Sequence, residues 1–296
     1  MAKSKKKSYK KSGGFTTIIA VIAAIVYMVF FSPMSERTEK VQLDGTLQVH
    51  MIDVGQGDSF LVVSPEGETM LIDAGTNNSE PQLKSYLDSQ GISEITYAVF
   101  THPHEDHIGG ADMVLNNYTV KNVILPDVTH TSATFERMIE AIDKNNINTI
   151  IPSPGDKYDL GSASFLILGP VSTNYEELND YSIVMRLDYG GTSFMMTGDA
   201  ETLSEKEMLG YFPASEFKCD VLKMGHHGSS TSSCDEFLNA VSADIALISS
   251  GKDNDYGHPH REIVSEINNR GMVSYNTADH GNIVLKADGS TITVME

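Results

Sequence analysis

The chain has 296 residues, 40% apolar and 21% charged, an ordinary globular composition that excludes a collagenous, low-complexity or repeat-built protein. Its formal net charge is −19. Met1–Gly14 holds six lysines and no acid, so the remainder sets 15 basic against 40 acidic residues, a balance of −25 that opposes long-range capture of polyanions.

Residues 1–14 read as a basic cytoplasmic tail. Residues 15–34 begin with "FTTIIAVIAAIVYMVFF", Phe15–Phe31, seventeen uncharged residues. At about 1.5 Å per residue this run reaches roughly 26 Å, and Ser32-Pro33-Met34 brings it to membrane thickness, so a single transmembrane anchor is expected. Lysines before it and Glu36 and Glu39 after it place the amino terminus in the cytoplasm and everything downstream outside. No A-x-A cleavage site follows Phe31, which favours an anchor over a cleaved signal. Residues 35–46 form a linker, and 47–296 one domain.

Within that domain "LQVHMIDV" (47–54), "SFLVVS" (59–64) and "TMLIDAG" (69–75) read as a meander of three strands separated by turn chemistry. "SEPQLKSYLDSQG" is a helix, with Ser79 as cap, Pro81 in the first turn and Gly91 as stop. "YAVFTH" is a strand running into "THPHEDHIGG". Further on come the strands "SFLILG", "YSIVMRLDYGG" and "TSFMMTGDA", the last two joined at Gly190-Gly191. Three helices, "SEKEMLGYF", "DEFLNAVS" and "HREIVSEINNRG", are interleaved with the strands "CDVLKMGHHG" and "ADIALISSG", and "GNIVLKA" and "STITVM" close the chain. Strands flanked by helices in both halves predict an α+β fold of two sheets face to face with helices outside, a four-layer α/β/β/α sandwich. The two cysteines, Cys219 and Cys234, exclude a disulfide framework and leave open whether they pair.

Seven of the ten histidines fall in three groups at or beyond strand ends: His102, His104 and His107; His226 and His227; His258 and His260. In extended chain His102 and His104 point the same way and converge on one ion. Asp106 and His107 follow at a turn and present to a second point a few ångströms away. Two cations that close repel unless a shared anion lies between them. Asp199, at the tip of "FMMTGDA", is the best bridging carboxylate. An extended chain would turn His226 and His227 to opposite sides, and His226 is expected to be the ligand of the second ion. Nitrogen and carboxylate ligands without thiolate fit two divalent ions, Zn²⁺ first and Mn²⁺ next. Gly55 and Gly57 of "DVGQGDS" read as a tight turn and not a phosphate cradle.

The ordered set "MLIDAG", "THPHEDHIGG", "TGDA" and "KMGHHGSS" resembles the metallo-β-lactamase superfamily. More narrowly, "HMIDVGQGDSFLV", "DVLKMGHHGSSTSS" and "NDYGHPHREIV" resemble the metallo-β-lactamase-like domain of ComEC-type competence proteins. The resemblance implies that His102 and His104 hold a first metal, that Asp106, His107 and His226 hold a second, that Asp199 bridges them, and that Asp73 supports the metal loop. A third histidine that usually completes the first shell is absent; the region reads "YEELNDYSIV", leaving Asp180, His227 or substrate as candidate caps. Competence-type proteins also carry a many-helix channel, whereas this chain shows one apolar span.

The expected activity is metal-dependent hydrolysis, with Asp106 and His258 as candidate catalytic residues and a phosphodiester, DNA included, as substrate. Alternatives are a phosphocholine or wall-polymer esterase, a lactam or thioester hydrolase, and a protein that binds DNA or a polymer without cleaving it.

Overall fold

The computed structural model describes residues 41–295. The basic tail and the apolar segment 15–34 lie outside them, and among the described residues no helix is long and apolar enough to cross a membrane. The strands in chain order are β1 (Leu47–Met51), β2 (Phe60–Val63), β3 (Thr69–Ile72), β4 (Glu94–Val99), β5 (Thr119–Ile124), β6 (Asn148–Ile150), β7 (Lys157–Leu160), β8 (Ala163–Gly169), β9 (Val184–Tyr189), β10 (Thr192–Met196), β11 (Val221–Lys223), β12 (Ile245–Ile248), β13 (Val273–Asn276), β14 (Ile283–Ala287) and β15 (Ile292–Met295). The helices are α1 (Glu80–Gln90), α2 (Glu105–Ile108), α3 (Ala111–Asn117), α4 (Ala133–Asn145), α5 (Thr202–Tyr211), α6 (Asp235–Val241), α7 (Arg261–Asn269) and α8 (Thr277–His280).

Two sheets result, one ordered β15-β14-β1-β2-β3-β4-β5-β6 and the other β13-β12-β11-β10-β9-β8-β7. The meander expected at β1, β2 and β3 is present as antiparallel neighbours, and β9 and β10 form the expected hairpin, Tyr189 pairing with Thr192.

Strand alternation assigns each side chain to a layer. Phe60 and Val62 of β2 face Phe165, Met185 and Phe194 of the opposite sheet in a central core. Leu61 and Val63, one residue out of phase, pack with Leu83, Leu87, Val114 and Met138 from α1, α3 and α4. On the far side Met195 and Leu222 pack with Met208, Phe237 and Ile263 from α5, α6 and α7. Three apolar cores between four layers make the two-sheet sandwich that the sequence predicts.

The strand read as "CDVLKMGHHG" is the main local departure. It stops at Lys223, and Gly225–Gly228 form a 3-10 turn in which His226 (φ 48°, ψ 50°) and His227 (φ 55°, ψ 23°) are both left-handed. Cys219 and Cys234 are free thiols.

Two glycines dock the metal loop onto the first sheet. Asp58 N–H donates to the Asp106 carbonyl at 3.1 Å, and a Cβ on Gly57 (φ +147°) would lie 2.3 Å from that same carbonyl oxygen. A Cβ on Gly109 would lie 2.2 Å from the Asn77 backbone nitrogen. Gly57→Ala is therefore expected to destabilise by about 3 kcal/mol, because clash adds to conformational cost. Gly55→Ala, at φ +74° with open space around it, should cost about 1 kcal/mol. Urea unfolding of the two variants checks this; equal losses would refute a docking role for Gly57.

Candidate metal centre

The site is assembled from both sheets at one seam. The segment after β4 supplies His102, His104, Asp106 and His107; the turn after β10 supplies Asp199; the turn after β11 supplies His226 and His227. Asp199 lies at the centre. Its Oδ2 is 3.2 Å from His107 Nε2, 3.4 Å from His227 Nε2, 3.8 Å from His226 Nε2 and 3.9 Å from His102 Nε2. His102 Nε2 faces His104 Nδ1 at 3.0 Å. Asp106 Oδ2 lies 3.2 Å from His227 Nε2 and 4.0 Å from His107 Nε2.

Each imidazole that faces Asp199 has its other nitrogen tied. His107 Nδ1 donates to Asp73 Oδ2 at 2.7 Å, and Asp73 accepts from Thr101 N–H and Oγ1, also at 2.7 Å. His227 Nδ1 donates to the Ser249 carbonyl at 2.9 Å, with Asp58 Oδ1 at 3.3 Å. His226 Nδ1 lies 3.2 Å from Glu201 Oε1 and 3.1 Å from Thr231 Oγ1. His102 Nδ1 meets Thr101 Oγ1 at 3.2 Å and Ser182 Oγ at 3.3 Å. Such ties fix the ring orientation and turn Nε2 toward Asp199, where a bound cation would take the place of any proton on that nitrogen.

Protonation follows position. Burial opposes charge on His107 and His227, yet the carboxylates beside them, Asp199 foremost, hold both well above the usual histidine range. Burial lowers His102 well below it, and His107 adds to that effect. Burial also disfavours the Asp199 anion, but the same two imidazoles outweigh it and hold the carboxyl low.

The chemistry of the donor set fits divalent cations. His107 Nε2, His227 Nε2 and Asp199 Oδ1 are buried without a hydrogen-bond partner. Leaving such atoms unmatched costs about 1–3 kcal/mol each, which coordination would offset. Asp106, His107, Asp199 and His227 each bring one donor atom within 4.8 Å of the others'. His226 is not in that group. The extended-chain premise that set His226 against His227 fails here, because two successive left-handed residues turn both rings toward Asp199.

Of the other candidate caps, Asp180 is turned away: its Oδ1 accepts from the N–H groups of Glu201 and Ser204, at 3.2 Å each, at the start of α5. His258 lines a cleft of about 420 Å³ together with Gln56, His104, Asp106, Asp199, His226 and Tyr256. Tyr256 stacks on it, ring centroids 5.6 Å apart, and burial pushes the His258 imidazole down to a pKa of about 4, with His226 and His227 adding. Gly251 N–H donates to Gln56 Oε1 at 3.0 Å, which orients the amide so that Nε2 faces His258 Nδ1 at 3.4 Å. The His258 proton then belongs on Nε2.

Sequence reading missed Asp58 and Lys223, a fully buried ion pair at 2.8 Å behind His227. It missed Glu201 and Ser182 as well. The one signal for Asp58 was its place after two turn glycines in "DVGQGDS".

A model of the metallo-beta-lactamase superfamily matches residues 52–252. The chain is 30% identical over 280 residues to ComE operon protein 3 of Bacillus subtilis, covering 89% of this chain and 35% of that protein. It is also 30% identical to Recombination protein 2 of Haemophilus influenzae, covering 80% of this chain and 28% of that one. The chain thus spans about a third of the length of these relatives. Among solved structures, the metallo hydrolase Igni18 of Ignicoccus hospitalis superposes with a TM-score of 0.52 at 14% identity, over 84% of this chain and 99% of that one, a likeness of fold alone. With a family match across most of its two-sheet domain and the His/Asp cluster at the seam, the chain belongs to the metallo-β-lactamase superfamily and is similar to competence proteins.

Proposed function

We propose that the protein is a membrane-anchored, extracytoplasmic phosphodiesterase that uses two divalent cations, Zn²⁺ or Mn²⁺. One observation carries the reading: four imidazole nitrogens converge within 4 Å of a single buried carboxylate oxygen of Asp199. Recombination is chemistry on phosphodiester backbones, and the relative of that name favours this ester class over lactams and thioesters. The uncharged run Phe15–Phe31 behind six lysines supports the anchor and its orientation.

Cations at this centre supply Lewis acidity, making water more acidic and offsetting charge on substrate oxygens. The chain's own groups do the rest. Asp199 and Asp106 hold negative charge where cations gather. His258, fixed as the Nε2–H tautomer by Gln56, donates a hydrogen bond to a phosphoryl oxygen entering the cleft. The acidic domain, at −25, admits a small phosphodiester more readily than a long polyanion, so the two are assayed side by side.

The full chain, purified in detergent and loaded with Zn²⁺ or Mn²⁺, is expected to hydrolyse bis-p-nitrophenyl phosphate or single-stranded DNA. EDTA should abolish the activity, and Asp199→Asn should lower kcat at least 100-fold. Inactivity on both substrates with metal bound would remove the proposal. His258→Ala is expected to lower kcat about 100-fold, the effect of losing one fixed hydrogen-bond donor. Its metal content, measured by inductively coupled plasma mass spectrometry, should be unchanged; a matching loss of metal would make His258 a ligand instead.

A further inference from the structure

The paired histidines of "GHHG" pose a question of allocation. Asp106, His107, Asp199 and His227 already supply two imidazoles and two carboxylates to one metal position, a full tetrahedral set. His102 and His104 face each other at 3.0 Å and share only Asp199 with that set, so their position is one ligand short. His226 is the remaining imidazole on Asp199.

We propose that His226 completes the first metal position with His102, His104 and the bridging Asp199, while His227 serves the second. Three observations meet here. His226 Nε2 and His102 Nε2 approach the same oxygen, Asp199 Oδ2, at 3.8 and 3.9 Å. The far nitrogen of His226 is held by the Glu201 carboxylate at 3.2 Å, the carboxylate–imidazole arrangement typical of a metal ligand. The segment where a third histidine was expected packs behind these two rings: Asn179 Nδ2 donates to Glu201 Oε1 at 3.1 Å, the carboxylate that holds His226, and Ser182 Oγ lies 3.3 Å from His102 Nδ1. That segment thus supports the rings and leaves the ligand to come from the neighbouring strand.

The backbone makes this allocation physically attainable. Left-handed conformation at both His226 and His227 compresses the chain, and their ring centroids stand 6.0 Å apart while both Nε2 atoms reach Asp199. One residue step therefore spans the gap between two metal positions.

The inference rests on the two-cation reading above, and ¹¹³Cd NMR of the full chain tests the two separately. The wild type loaded with ¹¹³Cd²⁺ is expected to show two resonances; a single one would overturn the two-cation reading itself. His226→Ala and His102→Ala should remove or strongly shift the same resonance, while His227→Ala and His107→Ala should remove the other. Loss of the His107 resonance in His226→Ala, or retention of both, would overturn the allocation with the two-cation reading intact. Should His226→Ala fail to fold, as judged by circular dichroism, Glu201→Gln decides. It should shift the His102 resonance and leave the His107 resonance in place; a shift confined to the His107 resonance, or none, would overturn the allocation.

Discussion

A single carboxylate oxygen organises this protein. Asp199 Oδ2 sits buried among four imidazoles, two of which, His102 and His107, come from one sheet's connections and two, His226 and His227, from the other's. A carboxylate taken from water is costly unless its charge is met, and here it is met by rings whose outer nitrogens are pinned to Asp73, Ser249, Glu201 and the Thr101 and Ser182 hydroxyls. The rings cannot swing away without breaking those bonds, so the donor set is in place before any cation arrives.

Below that layer lies a second charge problem. Asp58 and Asp73 are also buried, and burial raises the Asp73 carboxyl despite the imidazole of His107 beside it. Lys223 offsets part of this. Its ammonium pairs with Asp58 at 2.8 Å and donates to the carbonyls of Met224 and Gly198 at 3.0 and 3.5 Å. Gly198 precedes Asp199 and Met224 leads into the histidine pair, so one buried cation binds the "GQGD" turn to both ligand loops of the second sheet.

Much of this was legible in the chain. Alternating apolar runs and turn residues located β1 to β3, the β9–β10 hairpin and the last helices, because period and punctuation are local properties. β5, β6, β7, β13 and α4 were not read from the chain; β6, β7 and β13 are three or four residues long and mostly solvent-facing, with one fully buried side chain between them, Leu160, too few positions to set a period. In the site, "HPHEDH" and Asp199 announced themselves by residue type at strand ends. The His226–His227 allocation did not, because it depends on two successive left-handed residues, a conformation that costs roughly 1–3 kcal/mol per residue and that residue type does not locate, although Asp and His adopt it more readily than most. Asp73 has the same hand, at φ 59°, so three residues at this centre hold backbone strain. Asp58 was missed for another reason: the partners of its carboxylate, Lys223 and His227, lie more than 150 residues away in sequence, where no spacing rule reaches.

Because the donors come from two sheets, their spacing is set by the core between those sheets. Phe60 and Val62 on one side and Met185, Phe194 and Met196 on the other fill that layer, and Met196 lies only three residues before Asp199. A close-packed interior transmits small volume changes as displacement, so a cavity there would move the Asp199 turn relative to His102 and His107. The central apolar layer thus acts on the chemistry without touching it. It holds the distance between the His102–His107 segment of one sheet and the Asp199 and His226–His227 turns of the other.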